Sequence, residues 1–259
     1  MADHEAMNTI TKLLTIAIAL LATAVLAVPA QAAPKCFGKK ATIIGTNGAD
    51  RIDGTPGRDV VVAKDGDDTI QSKAGDDLVC LGDGDDFAGT SRGFDKIDGG
   101  ADDDEIHGGG FRGRPDPGDG DTIIGGPGDD FLDGTRGELD DRLEGGDGND
   151  YLQGGERADG GDGNDEIHAE GQVSDNQLDI LRGGEGNDVI EADYDGSPAE
   201  IHGDGGDDDI TGGDNDDSLF GDEGDDHLHG LGGRDALDGG ADTDTCDGTP
   251  ASSRVSCEA

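Results

Sequence analysis

Aspartates recur at every ninth position along much of the chain, and this spacing is the clearest chemical signal in the sequence. From Gly45 to His107 the sequence divides into seven consecutive nonapeptides, beginning GTNGADRID, GTPGRDVVV and AKDGDDTIQ, and the sixth residue of each is aspartate. The frame resumes at Gly125 and continues, with interruptions, to Asp247. The sixth-position aspartates that we predict as metal ligands are Asp50, Asp59, Asp68, Asp77, Asp86, Asp95, Asp104, Asp130, Asp150, Asp165, Asp188, Asp208, Asp217, Asp226 and Asp235.

The eighth residue of most nonapeptides is apolar, which indicates how the aspartates are held. The glycine-rich positions one to six provide the positive-φ conformations of a tight turn, and positions seven to nine are long enough for a short strand. Because side chains alternate along a strand, position eight points inward and positions seven and nine point outward. The chain reverses at every turn, so alternate nonapeptides stack in the same sheet of a two-sheet coil of about 18 residues.

This stacking predicts a calcium site between successive coils. Sixth-position aspartates such as Asp50 and Asp68 on one edge, or Asp59 and Asp77 on the other, are expected about 4.8 Å apart. Calcium takes six to eight oxygens at about 2.3–2.6 Å, so an ion midway between two such carboxylates is close to both, and turn carbonyls can complete its shell. Magnesium needs a smaller octahedron, and the sequence has no Cys/His cluster for softer metals. We therefore predict several Ca²⁺ ions as the cofactor.

The repeats resemble the repeats-in-toxin (RTX, hemolysin-type) calcium-binding family, whose consensus is GGxGxDxUx with an apolar residue at U. Residues 125–133, 145–153, 160–168 and 183–191 match every fixed position, for example as GGDGNDYLQ and GGEGNDVIE. The resemblance covers about residues 45–247. It implies an all-β, right-handed parallel β-roll (β-solenoid) in which sixth-position aspartates and turn carbonyls bind Ca²⁺.

The sequence departs from this consensus in two ways. Position four is Asp102, Asn215 or Asp242 where glycine is expected, and Ala199 falls at position six of the unit 192–202, so a ligand is expected to be missing there. We also expect insertions to break the two edge rows of aspartates into shorter runs. The interruptions of the frame lie at 108–124, 134–144, 154–159, 169–182 and 192–202.

The composition also favours a cation-dependent protein. The chain has 259 residues with 62 acidic against 18 basic side chains, a net charge of −44, and only 31% hydrophobic and 3% aromatic residues. Such a chain is typical of disordered or cation-dependent proteins. Nucleic acids and anionic membranes require Lys/Arg surfaces, so calcium ions are the predicted partners. A halophile's acidic surface is the alternative, but it would scatter the acids rather than space them regularly.

The first 32 residues predict a secretory signal peptide. Lys12 provides a positive start, Leu13–Val28 is apolar apart from threonines, and Ala30–Ala32 forms an A-x-A cleavage site. Cleavage after Ala32 predicts a secreted, extracellular protein that has no membrane association once the signal is removed. A membrane anchor is the alternative, and the acidic segment before Met7 makes that methionine an alternative start.

Four cysteines in an exported chain predict two disulfides. Sequence alone permits three pairings, and we expect the two local ones, Cys36 with Cys80 and Cys246 with Cys257, the second closing the tail over the end of the core. Free buried thiols and a zinc site are the alternatives, although CxxC spacing does not occur.

The resulting organisation is a capped repeat array. The predicted segments are a signal peptide at 1–32, an N-terminal cap at 33–44, regular repeats at 45–107, interrupted repeats at 108–202, regular repeats at 203–247 and a C-terminal cap at 248–259. The short segment ahead of the repeats leaves no space for an enzyme domain, and we infer export of a repeat-only protein.

Motifs for catalysis are weak. Gly89–Gly93 (GTSRG) fits the GxSxG pattern, but it joins two repeats instead of forming a strand-to-helix turn. Glu191–Gly196 resembles the start of an EF-hand loop, but His202 stands where that loop needs its final glutamate. Five histidines fall at outward strand positions, which favours a solvated surface over zinc ligation: His107, His168, His202, His227 and His229.

We therefore predict a non-enzymatic calcium-binding protein in which ion binding is coupled to folding. Its extracellular role would be buffering, structural or adhesive, toward an envelope, matrix or cell-surface partner. Adhesion would use the irregular loops at 108–124 and 169–182, where Arg112 and Arg114 form a basic island. The alternative is an enzyme with a site on the roll surface or the insertions.

Overall fold

The computed structural model describes residues 33–109, 120–134, 141–169, 178–192 and 197–257. The chain divides into two units, Met1–Ala33 and Pro34–Ala259, and the second contains the fold. Regular structure in the described ranges is entirely β, and no helix within them could cross a membrane. The predicted signal peptide lies outside the described residues.

Two parallel sheets, one of 11 and one of 12 strands, form the body of the protein, and a short hairpin precedes them. The antiparallel hairpin consists of β1 (Lys35–Cys36) and β2 (Lys39–Lys40). One sheet contains the even-numbered strands β4 (Arg51–Asp53), β6 (Thr69–Lys73), β8 (Phe87–Thr90), β10 (Glu105–His107), β12 (Phe131–Asp133), β14 (Tyr151–Gln153), β16 (Glu166–His168), β18 (Val189–Glu191), β20 (Asp209–Thr211), β22 (His227–His229) and β24 (Thr245–Asp247). The other contains the odd-numbered strands β3 (Ile43–Ile44), β5 (Val60–Asp65), β7 (Leu78–Asp83), β9 (Lys96–Ala101), β11 (Thr122–Pro127), β13 (Arg142–Asp147), β15 (Arg157–Asp162), β17 (Asp179–Glu185), β19 (Ala199–Gly205), β21 (Ser218–Phe220), β23 (Ala236–Asp238) and β25 (Ser253–Val255).

From β3 onward, each strand pairs in parallel with the strand two elements further along the chain. Ile52 pairs with Ile70 and Leu132 with Leu152, so the eighth positions of alternate nonapeptides are in register. This is the predicted two-sheet coil, and the prediction of an all-β solenoid is confirmed.

The eighth-position side chains form the core between the two sheets. In strands such as β10 and β14 the middle residue is buried while its neighbours are exposed or half-buried. Fully buried aliphatic side chains at this position include Ile70, Ile97, Ile106, Ile123, Leu132, Leu143, Leu152, Ile167, Leu181, Ile190 and Ile201. The predicted alternation is therefore correct, and the core has the width of one side chain from each sheet.

Disulfides close both ends of the stack. Cys36 is bonded to Cys80, with a Cα–Cα distance of 5.6 Å, and Cys246 to Cys257, with a Cα–Cα distance of 5.7 Å. Both predicted pairings are confirmed, and the alternatives of free thiols and a zinc site are wrong.

The insertions all fall on one side of the solenoid. We call the turns that lead into even-numbered strands the even edge, and those that lead into odd-numbered strands the odd edge. Every even-edge turn spans six residues from its first to its sixth position, as in Gly125–Asp130, whereas the odd-edge turns include the long segments Gly108–Asp121 and Ala169–Asp179 and the short segment Gly154–Glu156. Parts of the long turns lie outside the described residues, including Arg112, Arg114 and most of the EF-hand-like segment.

Candidate metal centre

The sixth-position aspartates of the even edge form a continuous hydrogen-bonded row. The backbone N–H of each aspartate donates to Oδ1 of the aspartate in the next coil, at 2.6–3.1 Å. The row consists of Asp50, Asp68, Asp86, Asp104, Asp130, Asp150, Asp165, Asp188, Asp208, Asp226 and Asp244. The expectation that insertions would break this row was wrong, because the even-edge turns keep a constant length.

The second carboxylate oxygen of the interior aspartates is buried and accepts no hydrogen bond within the described residues. A buried acceptor without a donor costs about 1–3 kcal/mol, and more when it is charged. The aspartates whose Oδ2 has this environment are Asp68, Asp77, Asp86, Asp95, Asp104, Asp130, Asp150, Asp165, Asp188, Asp208 and Asp226. A cation is the ordinary way to compensate a row of such oxygens.

A backbone carbonyl lies beside each of these oxygens where the first position of the turn is glycine. A Cβ on Gly125 would collide both with Oδ2 of Asp130 and with the carbonyl oxygen of Gly145 in the next coil. The same pair of oxygens faces the first-position glycines Gly99, Gly145, Gly160, Gly183, Gly203 and Gly221. At these glycines there is no space for a side chain, because two oxygens from successive coils converge on the α-carbon. A set of carboxylate and carbonyl oxygens suits Ca²⁺.

Four predicted ligands have a different environment, because their Oδ2 already accepts a hydrogen bond. In the first coil, Oδ2 of Asp50 accepts from the backbone N–H and the hydroxyl of Thr46, at 2.5 and 3.0 Å. Oδ2 of Asp59 likewise accepts from the backbone N–H of Thr55 at 2.6 Å.

The other two lie near the C-terminal end of the odd edge. Oδ2 of Asp217 accepts from the backbone N–H of Gly213 at 2.8 Å, and Oδ2 of Asp235 accepts from the Ser252 hydroxyl at 2.9 Å. The sequence frame alone does not distinguish these positions from interior ones.

The odd-edge row starts like the even one and then changes residue type. From Asp59 to Asp141 each backbone N–H donates to the next aspartate at 2.7–2.8 Å. The N–H of Asp141 donates instead to Oε2 of Glu156, at 2.6 Å. Further on, the N–H of Ala199 donates to Oδ1 of Asp217 at 2.9 Å, so Ala199 stands in the row without a side-chain oxygen, as its place in the frame predicted.

Sequence reasoning missed five members of the two rows. Four of them end odd-edge turns of irregular length, which the nine-residue spacing does not reach: Asp121, Asp141, Glu156 and Asp179. Asp244 is different: it is the sixth residue of GGADTDTCD, which is in frame, and the signal for it was present.

Burial and the like charges of neighbouring carboxylates raise the pKa of the interior aspartates. Desolvation, with smaller contributions from adjacent aspartates, raises the pKa of Asp95, Asp104 and Asp208 to about 8. Desolvation also raises the pKa of Asp150 and Asp165 to about 7. Without cations, the ionised row is therefore unfavourable at neutral pH.

The histidines lie at the predicted outward positions, where three of them belong to two clusters with carboxylates: His227 and His229 with Asp209, and His202 with Asp204 and Asp222. His202, Asp204 and Asp222 place ligand atoms within 4.8 Å of one another. However, Nδ1 of His202 is hydrogen-bonded to Oδ2 of Asp222 at 2.9 Å, and Asp204 forms an ion pair with Arg182 at 3.2 Å. The side chains of this cluster are therefore already engaged with one another and with Arg182.

Two stacked parallel sheets, joined by turns with inward-facing carboxylates and carbonyls, define the class of the protein as a calcium-binding β-roll. The family model of the RTX calcium-binding nonapeptide repeat matches residues 42–70, 53–88, 81–113, 118–138, 135–156, 175–195 and 220–249. The chain belongs to the RTX calcium-binding nonapeptide repeat family. Comparison with curated proteins and with solved structures found no match.

Proposed function

We propose that this is a secreted, non-enzymatic protein whose interior aspartates bind several Ca²⁺ ions, and whose folding depends on that binding. The observation that carries this proposal is the row of buried Oδ2 atoms without donors, which lie beside a carbonyl oxygen of the next coil where the turn begins with glycine. Calcium between the coils would neutralise the carboxylates and join successive turns.

The proposal divides the predicted ligands into two groups. The interior aspartates with an unsatisfied Oδ2 are ligands, whereas Asp50, Asp59, Asp217 and Asp235 close the ends of the rows through hydrogen bonds. Both groups carry the same residue type at the same frame position, so only the surroundings of Oδ2 separate them.

Calcium would provide free energy for folding because the metal-free fold concentrates negative charge. A ligand that binds the native state alone stabilises it by mass action, and metal sites absent from the unfolded chain couple binding to folding. A chain with a net charge of −44 and 31% hydrophobic residues has little else to stabilise it. Export before folding would then place the chain where calcium is abundant.

Two features support an extracellular, non-enzymatic role. Both disulfides suit an oxidising compartment. The GxSxG-like segment Gly89–Gly93 leaves strand β8 for a bend of the solenoid, whereas a nucleophile elbow needs a helix at that point. We assign the protein a structural or adhesive extracellular role that also buffers calcium.

A matched pair of adjacent residues tests the ligand assignment. Asp208 is buried and belongs to the even-edge row, while Asp209 points outward with 57% of its side chain exposed. Asparagine retains Oδ1 for the ladder hydrogen bond and removes the charge, so Asp208→Asn should reduce the number of bound Ca²⁺ ions in calorimetric titration. Asp209→Asn should behave as wild type, and equal calcium binding by both variants would refute the assignment.

Far-UV circular dichroism of the mature chain tests the coupling to folding. We expect weak β signal in EDTA, a cooperative gain in millimolar Ca²⁺ and a much smaller effect of Mg²⁺. A spectrum that is the same in EDTA and in Ca²⁺ would show that folding does not need the ion.

A further inference from the structure

Two lysine ammonium groups lie where the two rows begin. Nζ of Lys64 donates to the carbonyl oxygen of Gly45 at 2.5 Å, and Nζ of Lys73 donates to the carbonyl oxygen of Gly54 at 2.7 Å. Gly45 is the first residue of the first even-edge turn, and Gly54 is the first residue of the first odd-edge turn. Each edge therefore has one ammonium group at its N-terminal end.

These carbonyls are the counterparts of those that face carboxylates further along. In an interior coil the first-position carbonyl, such as that of Gly145, lies beside Oδ2 of the preceding coil's aspartate, here Asp130. The first coil has no preceding aspartate, so an ion shared between two coils has no place there. The lysines supply a covalently attached positive charge at these two terminal carbonyls.

The lysines occupy an unfavourable backbone conformation. Lys64 and Lys73 have φ values of 98° and 77°, in the left-handed region, and the second position that they occupy is glycine in later turns such as Gly126 and Gly146. A non-glycine residue is strained in this region of backbone conformation. The ammonium contacts compensate part of that strain.

The first coils also contain more apolar surface than the rest. Val60 and Leu78 are buried at outward strand positions under the N-terminal hairpin, where they pack with Cys36 and Phe37. The Cys36–Cys80 disulfide fixes that hairpin to β7. In addition, the first-position residues Ala63 and Leu81 belong to the main core, whereas every later even-edge turn has glycine there.

Charge separates this end from the remainder even more clearly. Residues 34–83 contain nine acidic and seven basic side chains, a net charge of −2. Residues 84–259 contain 51 acidic and 10 basic side chains, a net charge of −41. All lysines after residue 34 lie between Lys35 and Lys96. Self-repulsion in the metal-free chain is therefore concentrated after residue 83.

We infer that residues 34–83 fold without calcium and form the nucleus on which the calcium-dependent coils assemble, with Lys64 and Lys73 in place of the terminal cations. This inference rests on the proposed calcium-coupled folding, and it adds a direction: coils order from the N-terminal end as ions enter. Three features stabilise the nucleus: the disulfide, the additional apolar surface and the near-balanced charge. The ammonium groups satisfy the carbonyls of Gly45 and Gly54 in the first coil.

Hydrogen–deuterium exchange of the disulfide-intact mature chain tests this inference. In EDTA we expect amides of residues 43–83 to exchange at least about tenfold more slowly, relative to their intrinsic rates, than those of residues 120–247, and millimolar Ca²⁺ to protect both segments. Equally fast exchange of both segments in EDTA would overturn the nucleus and leave calcium-coupled folding intact. Full protection of residues 120–247 in EDTA would overturn both proposals.

A double variant isolates the contribution of the ammonium groups. Lys64→Met with Lys73→Met should raise the exchange of residues 43–83 in EDTA about tenfold, because hydrogen bonds from charged groups are lost. The control is Lys35→Met with Lys40→Met, which removes two exposed charges from the hairpin. Both variants should still fold in Ca²⁺, which shows that each can form the native state; equal exchange of the two variants in EDTA would refute the role of Lys64 and Lys73.

Discussion

The backbone N–H of Asp130 donates to Oδ1 of Asp150 at 2.8 Å, while Oδ2 of Asp150 is buried beside the turn of its own coil. One carboxylate therefore has two tasks. Its first oxygen sets the spacing between coils, and its second is available for a cation. Because the first contact does not use the charge, substitutions can change the cation site and preserve the spacing.

The space beside Gly145 should be important for ion binding between its coil and the next. Gly145→Ala would place a methyl group against Oδ2 of Asp150 and the carbonyl oxygen of Gly160, so we expect fewer bound Ca²⁺ ions and a higher calcium midpoint of folding. Calorimetric titration and circular dichroism measure both. Gly48→Ala is the control, because a Cβ there meets nothing within 4 Å, and an equal effect of the two substitutions would contradict a specific role for Gly145.

Acid should have opposite effects on the metal-free and the calcium-bound protein. Native carboxyls such as Asp95 and Asp104 have a pKa of about 8, far above the unfolded value near 4, so between these values the metal-free native state binds more protons than the unfolded state. Its stability therefore falls as pH rises through this window. In EDTA, β signal should increase from pH 8 to pH 5, whereas in Ca²⁺ the same change should release ions; β signal in EDTA that is independent of pH would contradict this account.

The gap in the odd-edge row should accept a new ligand. Ala199 is buried at the row position and its N–H already donates to Asp217. Ala199→Asp should lower stability in EDTA, because it buries another charge, and raise calcium binding. Ala199→Asn has nearly the same volume without the charge, so a calcium gain with asparagine as well would indicate that volume, and not charge, causes the effect.

Opening the C-terminal disulfide should loosen the last coils only. The Cys246–Cys257 bridge closes a short loop over the end of the core, and loss of such a bridge costs about 3 kcal/mol. The double substitution to serine should therefore increase exchange in β22 to β25 in Ca²⁺ and leave β5 to β9 unchanged. Uniform destabilisation of all strands would show instead that the solenoid unfolds as one unit.

The sequence predicted the coil but not the individual environments within it. The nine-residue frame is enough to place Ile70 in the core and Asp68 at the turn, because period-two alternation and strand stacking follow from local geometry. It does not show that Thr46 satisfies Asp50, because that depends on whether the backbone N–H of the second-position residue points toward the carboxylate. The place of Glu156 in the odd-edge row could not be predicted either, because its turn is shorter than six residues and departs from the nine-residue spacing.

The constant six-residue turns of the even edge fix the spacing and register of the coils along the whole solenoid. Because that side sets the register, turns on the odd edge can gain or lose residues without moving the eighth-position side chains of the core. A foreign peptide inserted in an odd-edge turn would be displayed at a defined coil of the solenoid, and the adjacent coils would not need redesign. The fold thus assigns the register of the coils to the even-edge turns and leaves the odd-edge turns to vary toward the surroundings.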